Sequence, residues 1–330
     1  MTDQTEGSPT HDGAALSAQE RAGIADRLLS RLTQVTAPRL RDAVVAAEAD
    51  PSQDPLPGDL WRVAWDTTTL LVLVVGLNES EPAVAPISLD PPAGDERTMV
   101  LPADSHILGV PAAAWVGLTH TVPLRVFDAR LGRIQPHFLA TARSILGDGE
   151  PSEQGEVATG EPITSPFSQQ AGVRADLEDG LERLVAATWA PPKTTPTQSI
   201  PDLLTGRADL EDLQQALGAT PGHAWQLWCG ERAIEPDEAE TLGQRFGVSA
   251  DALLATASLP GDLVAELDRP AWRPELRIRK AALHLDDRRV RLEAAYGCLV
   301  PARTTGAGPG QWIQLLRQYF DTHPVPEDQR

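Results

Sequence analysis

The chain has 330 residues, 41% of them hydrophobic, and carries a formal charge of −19 at pH 7. That much apolar material supports more than one core, and the charge excludes a protein that coats nucleic acid through bulk electrostatics. Any nucleic-acid contact has to be local. Cys229 and Cys298 stand far apart without CxxC spacing, which points away from a zinc or dithiol site and toward a reducing, cytoplasmic setting. The N-terminal MTDQTEGSPTHDG is acidic where a secretory leader is basic and then apolar. The longest apolar run, LLVLVVGL from Leu70 to Leu77, is too short to cross a bilayer, so no membrane association is expected.

In chain order, residues 1–15 read as a disordered tail and residues 16–50 as one or two amphipathic helices. Ser17 and Glu20 there form a capping box, and Ile24, Leu28, Leu32 and Val35 form one apolar stripe. The segment DPSQDPLPG, Asp50 to Gly58, breaks that pattern. From Gly58 to about Ile134 the period becomes that of strands: GDLWRVAW, LLVLVVGL, AVAPISL, RTMVLPA and VPLRVFD. Five short strands with Pro- and Gly-rich turns predict a small, strongly bent barrel over residues 51–145. HILGVPAAAWVGLTH, between the last two, is expected to hold one helical turn.

GDLWRVAW, LLVLVV and WVGLTHTVPLRVFDARLGRI resemble in layout the SH3-like barrel of the MazF/PemK toxin family, over roughly a quarter of the chain. That resemblance implies RNA cleavage, for which the family uses an Arg-Pro at the start of the second strand and an Arg with a Thr or Ser. Here Thr68, Thr69 and Leu70 stand in the place of that Arg-Pro. The implied alternative is an RNA-binding protein or degenerate ribonuclease related to toxin-antitoxin systems.

Residues 146–198 read as an acidic, Pro-rich linker. GDGEPSEQGEVATGEPITSPFSQQAG lacks Lys and Arg, VRADLEDGLERLVAATW is a short helix, and APPKTTPTQ is a stiff hinge. Residues 199–257 then divide into five helical segments: SIPDLLTGR, DLEDLQQALGA, TPGHAWQLWCG, PDEAETLGQRFGV and SADALLA. Gly218 supplies the tight turn after the second, and Thr220 with Pro221 starts the third. The order helix, Gly-containing turn, helix is that of a DNA-reading helix-turn-helix.

EPDEAETLGQRFGVSADALLA, following Gly230 and the loop GERAIEP, resembles the closing half of the Xre/Cro family of helix-turn-helix proteins. The resemblance implies that the third helix enters the major groove; Trp225 and Trp228, three apart, read from their own spacing as its anchors in the core. His223 and Gln226 are then the candidates for base edges and Gln214 for a phosphate, and Thr220, Arg232, Arg277 and Lys280 complete the candidate DNA-binding set.

The charge is distributed unevenly. Residues 196–257 hold three basic residues against ten acidic ones, a net of −7, whereas residues 268–303 hold nine against five, a net of +4. RPELRIRKAALHLDDRRVRLEAAYG places Arg277, Lys280 and His284 on one helical face of a C-terminal extension, residues 258–330. That face could supply phosphate contacts, and a homodimer would double it. The final helix, QWIQLLRQYF, puts Trp312, Leu315, Leu316 and Tyr319 on one side as a core or dimer surface.

No metal pattern, cofactor motif or catalytic constellation stands out: GAGPG at Gly306–Gly310 lacks the Lys-Ser/Thr of a phosphate loop, and Asp104, Ser105 and His106 are only adjacent. The expectation is therefore an α+β, multidomain chain, with an SH3-like barrel and N-terminal helices linked to an all-α helix-turn-helix domain with a helical extension. Its expected function is that of a cytoplasmic Xre-type transcriptional regulator rather than an enzyme, with a protein partner or signal bound through the barrel or the acidic linker. An interaction adaptor that does not bind DNA is the other alternative.

Overall fold

The computed structural model describes residues 54–79, 81–89, 94–147, 157–190, 199–256, 259–305 and 310–325. The expected N-terminal tail and helices, the centre of the acidic linker, the hinge at residues 191–198 and the GAGPG turn through residue 309 lie outside them.

β1 (Asp59–Trp65) returns as β2 (Thr68–Asn78) through a tight turn in which Asp66 adopts a left-handed conformation, φ 49°. β2 pairs with β3 (Glu81–Ser88), and β4 (Thr98–Leu101) pairs with β5 (Ala112–Trp115). β6 (His120–Thr121) joins β3, and β7 (Phe127–Arg133) closes on the free side of β1. The result is one seven-stranded antiparallel sheet in the order β4-β5-β3-β2-β1-β7, with β6 beside β3.

Two of these strands depart from the sequence expectation. HILGVPAAAWVGLTH does hold one helical turn, the 3-10 turn Val116–Leu118, but it also contributes β5 and the start of β6, because Ala112, Ala113 and Ala114 are fully buried between β3 and β4. Alanine favours helix in isolation, and the ladder overrides that preference. VPLRVFD is half 3-10 turn (Leu124–Val126), and its strand begins only at Phe127.

The sheet is buried on both faces, which is why β2 reads as an unbroken apolar run. Val72 and Val74 face one core together with Trp61, Val63, Ala113 and Trp115, whereas Leu73 and Val75 face a second one with Leu60, Ala112 and Ala114. The second core is closed by Phe138 and Ala142 of α1 (Pro136–Leu146), a helix that the strand reading of residues 51–145 passed over. Its signals are in the sequence: Pro136 opens it, and Gly147 ends it in the left-handed conformation, φ 87°.

The first core is closed from the other side by α2 (Gln169–Val185), whose Leu177, Leu181 and Leu184 are buried and whose Gly180 lets Leu70 of β2 approach closely. The helix expected inside the linker is thus a layer on the sheet. α8 (Gly261–Leu267), α9 (Arg273–Leu283), α10 (Asp287–Thr305) and α11 (Trp312–Thr322) lie in this same core, through Leu263, Leu267, Leu276, Val290, Trp312 and Leu316. α11 therefore uses its apolar side as core. Gly297 of α10 faces the ring of Tyr319 so closely that a side chain there would overlap it.

Between α2 and α8 the chain makes five helices with a core of their own: α3 (Ile200–Leu204), α4 (Leu210–Leu217), α5 (Pro221–Trp228), α6 (Pro236–Phe246) and α7 (Ala250–Ala255). Leu204, Leu213, Ala224, Leu227, Ala239, Leu242 and Leu253 fill it, all fully buried. Arg207 reinforces it by donating to the carbonyls of Phe246 and Gly247, the last acceptors of α6.

Candidate functional site

Two places bring the sequence-predicted residues into view. The first is the pair α4 and α5. Asp209 caps α4 and forms a reciprocal capping box with Asp212; Gly218 then turns the chain at φ 57°, and the Thr220 hydroxyl accepts from the His223 amide to open α5. Replacing Thr220 by alanine is expected to lower the stability of the five-helix unit by about 1 kcal/mol, read as a shift in its urea midpoint.

The burial pattern of α5 revises its anchors. Ala224 and Leu227 are fully buried, while Trp225 is 52% exposed and Trp228 is half-buried. Trp225, expected to anchor the helix, faces solvent together with Pro221, Gly222 and Gln226. A helix with Leu227 on its inner face must carry residue 225 well round toward the outside, since two positions amount to more than half a turn.

His223 is engaged: its Nε2 lies 2.7 Å from the Glu238 carboxylate, at the start of α6. Gln226 and Arg232 are exposed, and Gln214 is half-buried on α4. Of the named polar side chains on α5, Gln226 is thus the one presented outward. Glu211 and Asp212, also exposed, surround the start of α4 with negative charge.

The second place holds Arg277 and Lys280, which do not lie on α4 or α5. They project from α9 toward the sheet, onto two buried carboxylates. Asp287, 1% exposed, receives Arg273 Nη1 at 2.5 Å, Arg291 Nη1 at 3.4 Å and the Lys280 ammonium. Asp128 of β7 receives Arg62 Nε at 2.5 Å and Arg273 Nε at 3.2 Å, with Arg277 Nη1 at 3.8 Å. Arg273 also donates to the carbonyl of Ala64, and Asp66 donates its amide to Asp287. One cluster of charges therefore fastens α9 and α10 to β1 and β7.

The electrostatics follow from that packing. Burial alone pushes the Asp287 carboxyl up, but Arg273, the Lys280 hydrogen bond and charge, and Arg291 outweigh it and bring it to about 2. Burial and the like charge of Arg273 push the Arg291 guanidinium down, to about 9, so it remains charged at neutral pH. Arg291 also stacks on the Trp65 ring, 5.0 Å from its centre. A cleft of about 360 Å³ opens over the cluster, with Arg273, Arg277, Lys280, His284, Asp128 and Asp287 on its charged side and Ala64, Ala281 and Leu285 on its apolar side.

Of these residues, sequence reasoning found Arg277, Lys280 and the shared face with His284. It missed Asp128, Arg273, Asp287 and Arg291. The available signal was Asp286-Asp287 within an otherwise basic run, since an acid in the middle of a cation-rich face marks a pairing site.

Neither the adjacent Asp104, Ser105 and His106 nor the cysteines form a nucleophile site. Ser105 Oγ donates to the Pro102 carbonyl, and His106 Nδ1 accepts from the Leu108 amide. Burial holds the His106 imidazole below the ordinary histidine range and pushes the Cys298 thiol up to about 12. Among the described residues no group of three or more His, Cys, Asp or Glu could hold a metal ion, and no helix is long and apolar enough to cross a membrane.

Fold and sites together define a mixed α+β chain: a helix-covered antiparallel sheet with a charged cleft, interrupted by an acidic five-helix unit. No protein-family model matches the chain, and no curated protein matches it.

Proposed function

We propose that the chain is a DNA-binding transcriptional regulator of the Xre type, in which residues 199–256 act as the helix-turn-helix and the sheet with its helices binds a signal or partner. The observation that carries this reading is α5 itself: it follows α4 across a left-handed Gly218, is capped by Thr220, and turns Gln226 and Trp225 outward. A glutamine so placed can pair bidentately with adenine, and an apolar ring can meet a thymine methyl. The net charge of −7 over residues 196–257 means that few phosphates are neutralised, so affinity rests on base edges and on two copies binding together.

The test is footprinting on the DNA upstream of the gene over a range of salt. The expected result is a discrete protected site with a shallow salt dependence. Gln226→Ala should weaken it by about 1–3 kcal/mol, roughly fivefold to 150-fold. Absence of a protected site even at low salt would sink the proposal.

That outcome would favour a second reading, an interaction adaptor. The half-exposed Trp225 on an acidic unit supports it, since exposed tryptophans near charged rims are frequent anchors of protein interfaces. The RNA-cleaving alternative has less behind it. Thr68 and Thr69 pair with Trp65 and Ala64 in the β1-β2 ladder, while Arg62 and Arg125 are held by Asp128 and Asp268.

A further inference from the structure

We infer that residues 230–235 form an autoinhibitory latch, which seats the five-helix unit on α10 and whose release frees the unit to bind DNA. For the effect of release the inference rests on the DNA-binding reading; the release itself does not depend on it.

The unit is joined to the rest of the molecule at two fixed points. The chain leaves the sheet side at Trp189, whose Nε1 donates to Asp268 at 2.6 Å, and Asp268 stands just after α8, where the chain has returned. Arg125 ties the same two points, donating to the Ala187 carbonyl at 2.8 Å and to the Asp268 carboxylate. Exit and return are thus pinned together, and the unit between them carries its own core. That is the layout of an inserted domain, which turns as a body wherever its interface with the host is small.

The loop that follows α5 builds the seam. Ala233, 6% exposed, belongs to the core shared by the sheet, α2 and α8 to α11, while its neighbour Ile234, 2% exposed, belongs to the core of the unit. Two consecutive residues therefore sit in two different cores. Beside them Glu235 receives Arg288 Nη1 of α10 at 4.0 Å, with side chains 22% and 40% exposed. Each of these contacts is weak: Ala233 offers a single methyl group, and a half-solvated ion pair at that distance adds little. The seam therefore parts more easily than either core melts.

The charges of the loop decide what docking does. Partial burial pushes the Glu293 carboxyl of α10 up, and the cation that most opposes that shift is Arg232, ahead of Arg279 and Arg289. Arg232 is one of three arginines in residues 196–257, and Arg207 is already engaged by the carbonyls that end α6, which leaves Arg232 and Arg245 for phosphates. Docking holds one of those two beside a carboxylate. Phosphate contacts dominate DNA affinity, so a unit of net charge −7 is sensitive to a single one. The loop also moves with α5: Glu235 forms the capping box of α6 with Glu238, and Glu238 holds His223 Nε2 at 2.7 Å. DNA that favours the released form is then held back by the fraction of chains that are docked.

The experiment compares the full chain with Arg288→Glu, which sets a carboxylate against Glu235. Small-angle scattering should show a larger radius of gyration, and deuterium uptake across residues 230–235 should rise while that at Leu242, in the core of the unit, stays as it was. On the DNA upstream of the gene, Arg288→Glu should bind roughly fivefold tighter or better, and log affinity should fall more steeply against log salt by about one. The sign is decisive, because added negative charge by itself weakens DNA binding; Arg317→Glu on α11, an exposed arginine, should show that weakening alone. Should Arg288→Glu fail to fold, Arg288→Gln removes the pair without adding a carboxylate and should move the same readouts in the same direction. Unchanged scattering and uptake, or uptake that rises at Leu242 as well, would overturn the latch. An opened seam with equal or lower DNA affinity would overturn its autoinhibitory role. An opened seam in a chain that binds no DNA in either form would sink the DNA-binding reading, and the autoinhibitory role with it, while upholding the latch.

Discussion

Replacing Asp287 by alanine is expected to destabilise the sheet and the helices packed on it by about 3–5 kcal/mol, a large fraction of the stability of a domain. The reason lies less in the attraction lost than in what remains. Arg273 and Arg291 are almost wholly buried, and without Asp287 the charges of Arg291 and Lys280 lose the carboxylate that offsets their desolvation here, while Arg273 keeps only Asp128. Urea unfolding followed by circular dichroism would measure it, and a loss below about 1 kcal/mol would show that the cluster is solvated and worth little.

The same carboxyl predicts an acid limb. Its folded-state value of about 2 lies below the ordinary 3.8, so the unfolded chain takes up its proton first as pH falls. Its contribution is therefore complete above 3.8 and is lost as pH drops through about 2, amounting to something on the order of 2 kcal/mol. Urea midpoints measured across that window should fall in the native chain. In Asp287→Asn this component of the fall should be missing, whatever the starting stability of the variant.

The second large effect concerns the five-helix unit. Leu227→Ala should cost about 2–5 kcal/mol, because it removes a fully buried side chain at the junction of α5 with the rest of that core. Trp225→Ala, two residues away, should change stability by no more than about 0.5 kcal/mol, since the larger side chain is half in water. The inversion is the informative part: a tryptophan replaced with little effect beside a leucine that the fold needs. If Trp225→Ala proves as damaging as Leu227→Ala, the outward orientation of Trp225 is wrong, and with it the proposed use of that face. Because the unit has its own core, Leu227→Ala should also open residues 199–256 to proteolysis before the sheet is cleaved.

Much of the helical architecture was legible because its signals are local. Gly218, Gly247, Thr220 with Pro221, and Ser199 with Asp202 each mark a helix end within a few residues of the event, and each is found at such an end. The alternation within GDLWRVAW and the unbroken LLVLVVGL likewise announced β1 and β2. Ala112–Ala114 could not announce β5 in that way. Their short side chains carry a preference for helix, and they become strand only because β3 and β4 lie on either side. α5 shows the same limit at a single residue: the sequence places two tryptophans three apart, but which of them meets the core depends on where α4 and α6 sit.

The charged cleft lies further still from sequence view. On the chain alone, Arg277, Lys280 and His284 are a basic stripe on one helix face, and that much is determined by the helical repeat. What the stripe faces was decided by pairings across the whole molecule: Arg273 with Asp128, 145 residues apart, and the Asp66 amide with Asp287, 221 residues apart. The sequence by itself determined where helices start and stop, because caps and turns act over three or four residues. Only the tertiary structure decided that the most basic stretch of an acidic chain turns inward, because burying Asp128 and Asp287 at the sheet requires cations to follow them there.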